Sequence, residues 1–188
     1  MRLWSLSRDM LAKIKYGASP AAQNQAICDV MYESFFASDG EAEAGQVSRL
    51  AQEVLSAKDG CAYAAWHDEV MVAAIIFSKI SFGDPKQSMR LLSPVAVAPK
   101  AQGIGVGTAL IEHGLNQLRS NGVKAVFTYG DPAYYGRFGF RGISADVARP
   151  PHPLKFAQGW QVLTWGAHTP RFEGIAQVVA AMDDAAIW

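Results

Sequence analysis

The sequence predicts a single α/β domain built on a mixed, mostly antiparallel sheet of about six to seven strands flanked by helices. Three observations predict it. Two segments near the N-terminus repeat their apolar residues at the helical period. Residues 61–80 read as two β-rich runs around a short polar turn. Residues 89–129 pass from an apolar run, through glycines, into an amphipathic segment and back to an apolar run. A hairpin gives an antiparallel pair, whereas a strand–helix–strand passage gives a parallel pair by right-handed crossover. With 188 residues, half of them hydrophobic and 11% aromatic, the chain can bury its own core and is not of the disordered class.

The elements follow in order. Leu11–Tyr16 alternates loosely and reads as a first strand. Ser19-Pro20 is a helix start, with Ser19 as N-cap and Pro20 at the first helical position. Ile27, Val30, Met31, Ser34 and Phe35 then fall at helical spacing up to Asp39-Gly40. Val47, Leu50, Ala51, Val54 and Leu55 mark a second helix that ends before Asp59-Gly60. Cys61–Trp66 and Val70–Ile80 form a hairpin about His67-Asp68-Glu69, and Gly83-Asp84-Pro85 is a loop. Met89–Ala98 is a strand ended by Pro99. A helix runs from Gly103 to Asn121, with Leu110, Ile111, Gly114, Leu115 and Leu118 on its buried face and Gly122 beyond its C-terminus. Val123–Tyr129 is a strand, Ala133–Phe140 a short aromatic segment, 149–153 a proline-rich loop and Trp160–Trp165 a last strand. Ile175–Met182 reads as a terminal helix.

Composition narrows the function. Seventeen basic residues balance seventeen acidic ones, which argues against a dedicated nucleic-acid binder. Cys28 and Cys61 are too few for a disulfide framework and form no CxxC zinc pair, so reduced packing thiols in a cytoplasmic protein are expected. The four histidines lack metal-ligand spacing, and His67 and His113 read as solvated surface. No apolar run is long enough for a membrane span, and residues 1–10 lack the core of a signal peptide. The charge is segregated along the chain: residues 21–70 sum to −7 and residues 71–155 to +6.

The stretch from Val95 to Thr108 carries the chemistry. A strand enters a glycine-rich turn that opens a helix, where unpaired backbone N–H groups and the helix dipole favour an anion. Two phosphate motifs fail here. A P-loop needs a Lys followed by Ser or Thr after its last glycine, and Thr108-Ala109 follows Gly107. The Rossmann pattern needs a third glycine or alanine where Thr108 or Leu110 stands, although Asp131 follows the next strand, where a ribose-binding acid would lie.

Gln102-Gly103-Ile104-Gly105-Val106-Gly107, preceded by Val97-Ala98-Pro99, resembles the Q/R-x-x-G-x-G/A signature of the GNAT N-acetyltransferase superfamily. Tyr135-Gly136-Arg137-Phe138-Gly139-Phe140 is similar to its Y-x-x-x-G-F segment, and the string GDPAYYGRFGF from Gly130 looks like one predicted-acetyltransferase subgroup. The resemblance covers roughly residues 60–167 by element order and 20–58 by helix pattern. It implies the GNAT fold, with a central parallel pair splayed at a bulge, and acetyl-coenzyme A (acetyl-CoA) as cosubstrate without a metal. Gln102, Gly103, Ile104, Gly105, Val106, Gly107 and Thr108 would bind its pyrophosphate. Val95, Ala96 and Val97 would lie along its pantetheine arm.

Acetyl transfer to an amine needs a neutral amine, donors for the developing oxyanion and a proton for the leaving thiolate. The resemblance implies Tyr135 as the proton donor, with Tyr134 as the alternative, and the N–H of Val97 or its neighbour as oxyanion donor. Asp131, Glu33 or a water chain would serve as base. The first two helices, the loop after the third strand and the last strands would build the acceptor side, with Phe35, Phe36, Phe82, Trp160 and Trp165 as walls beside Asp39, Glu41 and Glu43. Aromatic rings with nearby acids suit a cationic amine, of a small molecule or a peptide. A homodimer is compatible with this reading. A non-catalytic CoA-binding module and a nucleotide-binding oxidoreductase domain are the two competing functions.

Overall fold

The computed structural model describes residues 11–57, 60–84, 87–165 and 172–188. The N-terminal segment, the expected turn at Asp59 and Pro85 of the expected loop lie outside these residues. The chain divides into two compact units, 1–76 with 94–115, and 77–93 with 116–188.

In the first unit, strand β1 (Lys15–Ala18) pairs antiparallel with β2 (Cys61–His67), Lys15 opposite Trp66 and Ala18 opposite Tyr63. β1 starts later than expected because residues 11–13 close a helical turn, with Ile14 N–H bonded to the Leu11 carbonyl at 3.2 Å. Asp68 and Glu69, both at positive φ (47° and 67°), turn the chain from β2 into β3 (Val70–Ser81). That conformation at two central residues suits the right-handed twist of a hairpin. The order in this unit is β1-β2-β3-β4, where β4 is Met89–Val97.

Helices α1 (Asn24–Asp39) and α2 (Glu41–Ser56) pack on each other, and Ile27, Val30 and Met31 of the first and Ala44, Val47, Ala51 and Val54 of the second are buried. Ser48 Oγ donates to the Cys28 carbonyl at 3.1 Å. Gly40, at φ 87°, makes the corner between them, a conformation L side chains rarely adopt. Ser19 is not the N-cap it was expected to be. Its N–H extends the β1 pairing to the Ala62 carbonyl (2.9 Å), Pro20 caps a 3-10 turn at Ala21–Gln23, and α1 follows from there. The sheet competes for Ser19 and wins.

The second unit adds β5 (Ala125–Tyr129), β6 (Arg141–Gly142), β7 (Trp160–Thr164) and β8 (Gln177–Val178), in the order β3-β4-β5-β7-β6 with β8 on the end of β3. β5 runs parallel to β4, Met89 opposite Ala125 and Leu92 opposite Thr128. β7 runs antiparallel to β5, and β6 antiparallel to β7. Between β4 and β5 comes α3 (Val106–Ser120), which ends at Gly122 with φ 79°. Short α4 (Pro132–Tyr135) follows β5. Phe127 is the centre of this core, 5.0 Å from both Phe82 and Trp160 and 5.1 Å from Phe172.

The expected terminal helix is absent. Residues 177–178 form strand β8 instead, Val178 opposite Ile80 and Gln177 opposite Ser81, followed by a 3-10 turn at Ala180–Met182. The spacing of Ile175, Val178, Val179 and Met182 mimics a helix, but the end of β3 offers backbone partners that a short β-branched segment satisfies better. Trp188 closes the segment, 1% exposed, with its indole N–H on the Met182 carbonyl at 2.9 Å.

Candidate active site

The glycine turn lies wholly in the first unit. After β4 a 3-10 turn at Pro99–Ala101 leads into Gly103 (φ 73°) and Gly105 (φ 94°), and α3 begins at Val106. A Cβ built on Gly103 or Gly105 would meet nothing within 4 Å, so backbone conformation and not crowding requires glycine at both. The first helical bond at this end joins Ala109 N–H to the Gly105 carbonyl at 3.0 Å. The amides of Val106, Gly107 and Thr108 precede it and point out of the helix N-terminus. Val106 and Leu110 are fully buried and anchor the turn, while Gly107 and Thr108 are half-buried and Gln102, Gly103 and Gly105 exposed. These features fit an anion such as a pyrophosphate.

β4 is irregular where it matters. Met89 and Leu91 are buried, then Leu92, Pro94 and Ala96, so the alternation slips by one residue. Hydrogen bonding slips with it. The Leu92 carbonyl accepts from Thr128 Oγ1 of β5 (3.1 Å), whereas Ala98 N–H donates to the Val72 carbonyl of β3 (2.9 Å). Six residues apart, both would face the same neighbour in a regular strand. Beyond the slip Ala96 shares the orientation of Ala98 toward β3, and Val95 and Val97 present N–H and C=O on the opposite side. The register with β5 covers Met89–Leu92 only. Gln102 Nε2 bonds the Val97 carbonyl at 2.9 Å, which fixes the turn to the strand. Of the two neighbours of Val97, Ala98 has its N–H taken up by the sheet.

Tyr135 belongs to the second unit, at the end of α4. Asp131 caps this helix, its carboxylate accepting from Ala133 N–H at 2.9 Å and its carbonyl from Tyr135 N–H at 3.0 Å. Asp131 is therefore a structural cap, as its place before Pro132 suggests. The Tyr135 ring makes edge contacts with Tyr134 and Phe140 at 5.2 and 5.8 Å. Burial pushes its phenol up to about 12, opposed by the Thr128 side chain and reinforced by Tyr134. Tyr134 is also raised by burial, with Arg137, 4.5 Å above its ring, pulling the other way.

Some sequence assignments are revised and others agree with the structure. Phe82 and Trp160 are fully buried core and cannot wall an open acceptor site; the Trp160 indole donates to the Ala148 carbonyl at 2.8 Å. Phe36 is exposed and stacks on Tyr32 at 5.8 Å, whereas Phe35 and Trp165 are half-buried. Glu33 is a solvated acid on α1. His113 is not simple surface, since it is half-buried against Tyr16 and Tyr63 (6.4 and 5.7 Å). His67 is half-buried as well, 3.7 Å from Asp68. Cys28 is a buried thiol, pushed up by burial first and by Asp29 second, and so is a poor nucleophile. Sequence reading missed Gly130, Thr128 and Gln161; only the GDPAYY string pointed at the first. Among the described residues no helix is long and apolar enough to cross a membrane, and no group of three His, Cys, Asp or Glu could hold a metal ion.

Comparison with known proteins agrees with this architecture. The profile of the acetyltransferase (GNAT) family matches residues 24–140, so the chain belongs to that family. It is 36% identical over 115 residues to the uncharacterized N-acetyltransferase YjhQ of Escherichia coli (strain K12), covering 60% of this chain and 63% of YjhQ. A shorter stretch of 49 residues is 47% identical to YhbS of the same organism, covering 26% of this chain and 29% of YhbS. The crystal structure of YhbS in complex with CoA superposes with a TM-score of 0.79 at 21% identity, over 92% of this chain and 93% of that one. A Brucella melitensis GNAT acetyltransferase in complex with acetyl-CoA gives 0.73 at 26% identity, over 90% and 98%.

Proposed function

We propose that this protein transfers an acetyl group from acetyl-CoA directly to an amine of a small molecule or peptide, without a covalent enzyme intermediate. The observation that carries the reading is the pairing, in one unit, of a glycine-opened helix N-terminus with a strand end that runs on past its register with β5. Family membership and relatives solved with CoA or acetyl-CoA support it. Acetyl-CoA supplies the activated acyl group as a thioester. The amides from Gly103 to Thr108 hold the pyrophosphate, and the Gln102 side chain sets the turn. Val95 and Val97 offer their outward backbone edge to the pantetheine arm, as in strand addition, with Ala96 tying the strand to β3. Val97 N–H stabilises the acyl oxygen as it gains negative charge. Tyr135 keeps its proton at neutral pH and gives it to the leaving thiolate.

The acceptor side is α1. Exposed Tyr32 and Phe36 stack there, with Asp29, Glu33 and Asp39 on the same helix, a surface that favours a cation. Water, or a carboxylate acting through water, takes the amine proton. The cytoplasm, where thiols stay reduced, is the compartment we assign. Thermal shift tests the donor half: CoA raises Tm and NAD does not. Stabilisation by NAD alone would overturn the assignment in favour of a nucleotide-binding oxidoreductase.

A further inference from the structure

We propose that Gly130 is a positioning residue for the Tyr135 hydroxyl, an inference that rests on Tyr135 being the proton donor. Gly130 follows β5 and is not among the glycines at positive φ, so its backbone conformation is open to any residue. Space is what forbids a side chain. A Cβ at this position would lie 2.6 Å from Cε2 of Tyr135, 3.3 Å from Cδ2 and 3.6 Å from Cζ. The contact falls on the ring edge next to the carbon that bears the hydroxyl, so a displacement of that edge moves the hydroxyl with it.

Neither partner can yield cheaply. Gly130 is held through both backbone groups, its N–H on the Gly159 carbonyl (3.0 Å) and its carbonyl accepting from Gln161 Nε2 (3.1 Å). Gln161 is 1% exposed and sits opposite Thr128 in the β5–β7 register. Gly159 is itself crowded, since a Cβ there would lie 2.8 Å from Phe156 and 3.0 Å from Tyr129. Tyr135 is tied to Asp131 through its amide and boxed by Tyr134 and Phe140. The bare Cα of Gly130 thus forms one wall of the slot that fixes where the phenol ends.

The test is Gly130→Ala alone and combined with Tyr135→Phe, read as kcat and as KM for acetyl-CoA. The added methyl should lower kcat about ten- to a hundredfold with KM within about twofold, the size expected when a reacting group moves by about 1 Å. In the Tyr135→Phe background the same methyl should cost almost nothing, because the hydroxyl it displaces is gone. Wild-type kcat in Gly130→Ala, or an equal loss in both backgrounds, overturns the inference. Unchanged kcat in Tyr135→Phe overturns the donor reading itself, a separate result. Should Gly130→Ala fail to fold, Gln161→Met carries the test by releasing the Gly130 carbonyl without adding a Cβ. It should lower kcat at constant KM, and an unchanged kcat would overturn the inference.

Discussion

Tyr135 is where the chemistry is most exposed to test at the scale of a single residue. Burial raises its phenol from the ordinary 10.0 to about 12, so it is protonated at neutral pH. Tyr135→Phe should lower kcat at least tenfold, about 1.4 kcal/mol in the barrier, with CoA affinity retained. The pH dependence has a definite sign. Activity that needs the protonated phenol is lost only as pH rises toward about 12, so a midpoint near neutrality or slightly above it would belong to another group. The same raised value makes the folded state hold its proton more tightly than the unfolded one. That contribution to stability is complete below 10.0 and is lost as pH climbs to about 12, which a denaturation series across this window will show. Tyr135 was legible from its motif. Gly130 was not, because its need for a bare Cα arises from a ring five residues on in the chain, and no local pattern encodes that contact.

At the scale of elements, the glycine turn was legible because its physics is local. Positive φ, a missing side chain and a following amphipathic helix all leave marks in consecutive residues. Gly105→Ala forces an L side chain to φ 94°. It should cost about 1–3 kcal/mol in strain and weaken CoA binding, as measured by calorimetry, while leaving the far ends of α1 and α2 untouched. The helices were legible through their period, and the 68–69 turn through its polarity. Misreadings came where distant partners compete. Residues 177–178 joined β3 and Ser19 joined β2, each because a backbone partner far along the chain satisfied its hydrogen bonds. The slip in β4 was implied only by the family resemblance. Composition does not show it, since Leu91 and Leu92 are both apolar and either could face the core.

At the scale of the whole chain, β3, β4 and α3 each continue from one compact unit into the other. We propose that the two form one domain. The C-terminal residue is part of the second unit's core. Trp188 lies 5.7 Å from both Tyr129 and Trp160, and its carbonyl accepts from Lys155 N–H at 3.0 Å. Trp188→Ala should therefore destabilise by about 3–5 kcal/mol, in line with other buried aromatic truncations, and a single melting transition should move as one. Acetyl transfer is tested at its products. Purified protein is incubated with acetyl-CoA and a panel of amines, amino acids and basic peptides, with free thiol and acceptor mass followed together. At least one amine should gain one acetyl group for each CoA released, and Tyr135→Phe should slow both equally. CoA binding with no acceptor acetylated above background hydrolysis would contradict it, and would leave a CoA-binding module in place of an enzyme.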